Sequence, residues 1–274
     1  MYQIGLSSCG FALTEENFQK LNKSGIDVIE ISRPRSEYET INPDDVLSFS
    51  KRYGVSLWSC HLPFTPFHII DISSSSREIR ENSMKIFVEI IEKYTNIGVN
   101  KFIVHPSGEP IAEADREERM NHSMEMLDRL AEFSARHGAV IAVENLPRTC
   151  LGNGSDEMIK LLSANDKLRV CFDTNHLLSE DCLEFIDKLA DKIITVHVSD
   201  YDFVDEKHWL PGEGKVDWGS LFSSLKAHNY NGVWLYELGL KSPKTLLRSR
   251  ELTFDDFVRN ANEIFDGKAP SRIE

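Results

Sequence analysis

Short apolar runs and longer amphipathic stretches alternate along the whole chain. The apolar runs lie at 3–7, 28–32, 56–61, 101–105, 140–145, 168–173, 193–199 and 232–238. Most are continuously apolar, the pattern of strands covered on both faces. Between them, the 3-4 spacing of Met120, Met124, Leu127, Ala131 and Ser134 predicts a helix over 115–137, ended by Gly138. Ile79, Ile86, Ile90 and Ile97 do the same for 74–97, ended by Gly98. Further helices are predicted over 15–24, 43–53, 155–163, 181–190, 218–228 and 254–265. Pro43 followed by Asp44 and Asp45 suits a helix start both by geometry and by dipole.

Eight β-then-α units without a linker or a break in composition predict one domain over 1–274, closed as a (β/α)8 barrel. An open, doubly wound sheet is the rival, because eight strands do not by themselves imply closure. No repeat beyond the β/α alternation and no low-complexity segment interrupts the pattern.

Composition adds limits. The chain has 274 residues, 41% hydrophobic and 27% charged, with a net charge of -13. That is enough apolar material for a full core, and the acidic balance disfavours a nucleic-acid partner. The five cysteines are scattered, with no Cys-x-x-Cys pair, and read as reduced thiols. No basic leader and no long apolar span is present, so no membrane is expected and the cytoplasm is the expected location. A homo-oligomer stays open.

In a barrel of this kind the chemistry sits after the strands. Strand three runs into His61, strand four into His105, strand five into Glu144 and Asn145, and strand six into Asp173 and His176. Strand seven gives His197 and Asp200, strand eight gives Glu237, and a long loop adds Glu206, His208 and Trp209. Six consecutive strands ending in His, Asp or Glu gather several ionisable groups whose joint burial is costly without a cation. Mixed imidazole and carboxylate donors suit Mn²⁺, Zn²⁺, Fe²⁺ or Co²⁺, with Mg²⁺ a further candidate, better than an all-oxygen Ca²⁺ site.

Val143-Glu144-Asn145, Cys171-Phe-Asp173-Thr-Asn-His176, His197-Val-Ser-Asp200 and His208-Trp-Leu-Pro-Gly-Glu-Gly-Lys-Val-Asp-Trp218 together resemble the xylose isomerase-like TIM-barrel superfamily. That group holds sugar isomerases, sugar 3-epimerases, inosose-processing enzymes and endonuclease IV, and the likeness covers nearly the whole chain. The resemblance implies one divalent ion on Glu144, Asp173, His197 and Glu237, with Glu144 and Glu237 also serving as the acid/base pair. It further implies a small carbohydrate as partner: a sugar, a sugar phosphate or a related keto-polyol. The ion would stabilise an enediolate as a Lewis acid while one glutamate removes a carbon-bound proton and the other returns one.

Two departures matter. Ketohexose 3-epimerases carry arginine where His208 stands. His61, His105, Glu144, Asp173, His176, His197, His208 and Glu237 also match eight endonuclease IV ligands, with Glu206 in place of an aspartate, so more than one ion stays open. His61, His105, His176, His208, Trp209 and Glu30 are expected to contact substrate. Arg148 and the Gly152-Asn-Gly154 turn are candidates for a lid or a phosphate contact. A lyase or dehydratase using the same enolate, and an endonuclease IV-like phosphodiesterase, are the alternatives. No glycine-rich nucleotide fingerprint occurs.

Overall fold

The computed structural model describes residues 2–273. Its eight strands are β1 Ile4–Ser7, β2 Val28–Ile31, β3 Ser56–His61, β4 Lys101–Val104, β5 Val140–Glu144, β6 Arg169–Asp173, β7 Ile193–His197 and β8 Trp234–Tyr236. All lie parallel to their neighbours, and β1 pairs with both β2 and β8. The remaining seam joins β7 to β8 through Val198, whose N–H donates to the Leu235 carbonyl at 2.8 Å and whose carbonyl accepts from Glu237 N at 3.2 Å. These two bonds decide between the barrel and the open sheet. The sheet closes on itself, with β8 as the junction between the chain's first strand and its seventh.

The long helices are α1 Glu15–Ser24, α2 Pro43–Tyr53, α3 Arg77–Thr95, α4 Arg116–Arg136, α5 Ser155–Leu162, α6 Cys182–Leu189, α7 Trp218–Ala227 and α8 Phe254–Phe265. Each falls where a helix is expected, to within a few residues. Asn42 accepts from Asp44 N, and the Pro43 start leaves no orphan donor at the first position. Gly138 takes the left-handed conformation (φ 69°) that ends α4. In α4 the buried side is set by Met120, Met126, Leu127 and Leu130, while Met124 stays half-buried, so the face is rotated slightly from the expected one. A single helical turn, Arg35–Tyr38, was not signalled by periodicity.

Side chains fill the barrel interior below the site. Val28, Val233 and Leu235 pack against Trp58, and Ile103, Ala142 and Cys171 against Ile194. The Trp58 indole donates to Thr195 Oγ1 at 3.1 Å, and Lys101 Nζ lies 3.7 Å from its ring centroid. Gly5 has no room for a side chain: a Cβ would lie 2.5 Å from Val233. The bottom is therefore plugged, and whatever enters does so from the top.

Candidate metal centre

Strand periodicity delivers the site. Side chains two residues apart share a face, so Ala142 is followed by Glu144, Cys171 by Asp173, Thr195 by His197 and Leu235 by Glu237. The four functional groups form the layer directly above the apolar plug. Donor atoms of Glu144, Asp173, His197 and Glu237 lie within 4.8 Å of one another. His197 Nδ1 is 3.0 Å from Glu144 Oε1, 3.1 Å from Glu237 Oε2 and 3.9 Å from Asp173 Oδ2. Glu144, Asp173 and His197 are fully buried, whereas the Glu237 side chain keeps 13% exposure.

Among the described residues three more sets of three donors adjoin this one, and one of them, Glu144, Cys171 and His197, shares two of its residues. His61 Nε2 and His105 Nε2 lie 2.9 and 3.2 Å from Glu144 Oε2, and His176, Glu206 and His208 form a separate group. Hydrogen bonds behind the rings aim them. The Nδ1 atoms of His61, His176 and His208 face the carbonyls of Leu62, Asn145 and Glu237 at 2.8, 2.9 and 3.1 Å. A carbonyl only accepts, so each Nδ1 carries a proton and each ring turns its Nε2 toward the site. His197 is turned the other way, with Nε2 3.2 Å from Glu30 Oε2 and Nδ1 facing the cluster.

The electrostatics are those of too many buried carboxylates. Burial, together with the charges of Glu144 and Glu237, pushes the Asp173 carboxyl well up. Burial acts in the same sense on Glu144, yet the imidazoles of His197 and His105 outweigh it and hold that carboxyl well below the usual range. Glu237, also opposed by burial, is brought to about 2 chiefly by His197. His61 rises to about 9, because its bond to Glu144 outweighs burial, while burial prevails at His105 and lowers it. Asp173 Oδ2 is fully buried with no hydrogen-bond partner among the described residues. A buried carboxyl oxygen left without a partner, beside two further carboxylates and aimed imidazoles, is costly unless a cation satisfies it, so the donor set fits a divalent metal.

These groups open into a cavity of about 400 Å³ at the C-terminal end of the barrel. His61, His105, Glu144, His176, Glu206, His208 and Glu237 line it. Glu30 does not: it lies wholly buried beneath His197 and accepts from Ser59 Oγ at 2.7 Å. Trp209 does not either, since its indole donates to Thr245 Oγ1 at 3.0 Å. Two residues that the sequence gives no role organise the loops. Asn145 exchanges hydrogen bonds with the Asp173 backbone at 2.8 and 2.9 Å. Asn175 Oδ1 accepts from Lys207 N at 2.9 Å, tying the β6 loop to the loop that carries Glu206 and His208.

Residues 18–255 match the family described as Xylose isomerase-like TIM barrel. The chain belongs to this family. The Methanocaldococcus jannaschii protein MJ1614 is 24% identical over 250 residues, 88% of this chain and 93% of that one. A probable endonuclease 4 from Thermoplasma acidophilum is 26% identical over 200 residues, 65% of this chain and 67% of its own. Among solved structures, a D-tagatose 3-epimerase-like protein superposes with a TM-score of 0.77 at 22% identity, covering 86% of this chain and 90% of its own. At that identity the likeness carries the fold alone.

Proposed function

We propose that this family member is a metal-dependent isomerase or epimerase of a small sugar, sugar phosphate or related keto-polyol. The observation that carries this reading is the placement of Glu144 and Glu237. They come from strands three apart around the barrel, flank the same His197 Nδ1, and both line a cavity of small-molecule size. A divalent ion on Glu144, Asp173, His197 and Glu237 would supply Lewis-acid polarisation of a substrate carbonyl. Glu237, the more accessible of the two, would take a proton from an adjacent substrate carbon. Glu144 has its Oε2 against His61 and His105, so a proton on that carboxylate has imidazoles to pass to and from. Return of a proton to the opposite face gives an epimer, and return to the neighbouring carbon gives an isomer.

One observation favours a second reading. Two of the extra donor sets, His61, His105 and Glu144 and His176, Glu206 and His208, could hold further ions, and several ions in one pocket suit hydrolysis of a phosphoester. The relative named as a probable endonuclease 4 points the same way. The acidic chain and the small cavity oppose a duplex substrate.

The deciding experiment incubates metal-loaded protein with a panel of sugars in D₂O and follows the products by NMR, with metal content measured on the same samples. Deuterium should enter one sugar carbon. Glu237→Gln should keep its metal in excess Mn²⁺ and lose turnover by about 10²–10⁴-fold. Absence of exchange from every sugar, together with catalytic incision of abasic duplex, would replace the isomerase reading with the hydrolase.

A further inference from the structure

The same cavity also carries an apolar lining. Phe64, Phe67, Leu146, Pro147 and Leu238 contribute to it. The Phe64 ring lies nearly parallel to His105, with centroids 4.2 Å apart and an interplanar angle of 21°, and meets His61 edge-on at 5.5 Å. Its orientation is thus fixed while 40% of the residue stays exposed. Phe67 packs against Gly108, where a Cβ would come within 2.7 Å of the ring. Such a wall rewards a ligand in proportion to the apolar surface it brings, so an apolar substituent gains more from it than a hydroxyl-bearing carbon does.

The groups that ordinarily hold a phosphate are already taken by the chain's own carboxylates. Arg148 is the one Lys or Arg lining the cavity among the described residues. Its guanidinium donates to both Glu109 oxygens at 2.6 and 3.0 Å and to Asp205 at 2.8 Å, and lies 3.2 Å from Glu206. At the start of α5, directly after the Gly152-Asn-Gly154 turn, Ser155 N donates to Glu180 Oε2 at 2.6 Å. The N-termini of α6 and α7 are capped by Asp181 and Asp217, which accept from Leu183 N and Ser220 N. Among the described residues, a phosphate in the cavity would therefore meet no uncommitted lysine or arginine, and the N-termini of α5, α6 and α7 already face carboxylates.

We infer that the substrate is uncharged and bipartite: a keto-hydroxyl head for the donor cluster, and an apolar substituent that lies on Phe64 and Phe67. This rests on the metal-dependent reading above and deepens it.

Three chelators with one metal-binding head and different tails test it: acetohydroxamate, phenylacetohydroxamate and phosphonoacetohydroxamate, titrated calorimetrically into Mn²⁺- or Zn²⁺-loaded protein. The phenyl tail should tighten binding about tenfold over the methyl tail, and the phosphonate tail should give no gain. In Phe64→Ala the phenyl advantage should shrink to less than about threefold, with acetohydroxamate unchanged as the internal control for folding. Tightest binding by the phosphonate, or no phenyl preference, overturns the inference and leaves the metal-dependent reading standing. Failure of all three to bind protein that holds its metal overturns the reading itself, and the inference with it.

Discussion

A histidine donor is only as good as the group behind its far nitrogen. For His197 that group is Glu30, wholly buried and anchored by Ser59. Glu30→Gln keeps the shape and removes the charge that favours proton retention on Nε2. Metal affinity should fall about 10–100-fold, with the far-ultraviolet circular dichroism unchanged, as measured by competition with a chromophoric chelator. An unchanged affinity would reduce Glu30 to filler. Direct donors behave differently: Asp173→Ala and His197→Ala should lose most of the metal outright, read by elemental analysis. The sequence showed that Glu30 ends a strand but not its depth. Depth follows from the register shift between β2 and β3, which brings Ser59 opposite Glu30. Trp209 stands away from the cavity lining for a related reason. His208 sits in the left-handed region (φ 51°), and the Trp209 backbone pairs with Asp200, so the indole leaves the cavity.

Among the elements, strands and long helices were legible because each needs only a local period, and their ends erred by a few residues where caps decide. Loops were less legible, since side chains distant in sequence hold them. Asp200 is the main case. It accepts from Tyr201 N, Gly212 N and Val216 N and from the Trp218 indole, all within 3.1 Å. A Cβ on Gly214 would lie 2.2 Å from its carboxylate, so the loop closes around this one side chain. Asp200→Ala should leave those buried donors unsatisfied, at about 1–3 kcal/mol each where water cannot replace the carboxylate. Hydrogen-exchange protection should drop across 201–217, which carries Glu206 and His208, while the barrel strands stay protected. A second element rests on Asp256, whose carboxylate closes the capping box of α8 with Thr253 and pairs with Arg250 and Arg259. Burial opposes its charge, but Arg250 and Thr253 outweigh burial and hold the carboxyl below the ordinary range. A depressed folded pKa gives stability that is present above the unfolded value near ~3.9 and is lost as pH falls through the folded value. Asp256→Asn should therefore destabilise by about 0.5–2 kcal/mol at pH 7, and the gap should narrow in denaturant titrations below about pH 4.

At the scale of the whole molecule, the metal-free barrel carries an electrostatic burden at its centre, with three carboxylates crowded round one imidazole. Anything that binds only the folded state and neutralises them stabilises it by mass action. With Mn²⁺ or Zn²⁺ at about 100 times its dissociation constant, the gain is about 2.7 kcal/mol, or a Tm rise of roughly 5–10 °C for a chain of this size. Calorimetric scans with and without metal check it, and an unchanged Tm would argue against a bound ion. The closed topology was expected from eight β/α units and is what the structure has; the place where it closes was not legible, because it depends on Val198, a residue just beyond a strand end.

That seam has a consequence for biosynthesis. His197 lies on one side of it and Glu237 on the other, and β8 must pair with β1, made some 230 residues earlier. While the chain is still emerging from the ribosome, seven strands can assemble into a curved sheet whose two outer strands, β1 and β7, present bare amides and carbonyls to any other nascent chain. Three of the four clustered donors are present by then, and the fourth arrives with the closing strand. A polypeptide terminated before Trp234 would thus keep both edges bare and lack one of the four clustered donors, so under the proposed metal site, metal retention by newly made protein would report that synthesis has run past Glu237 and the ring has shut.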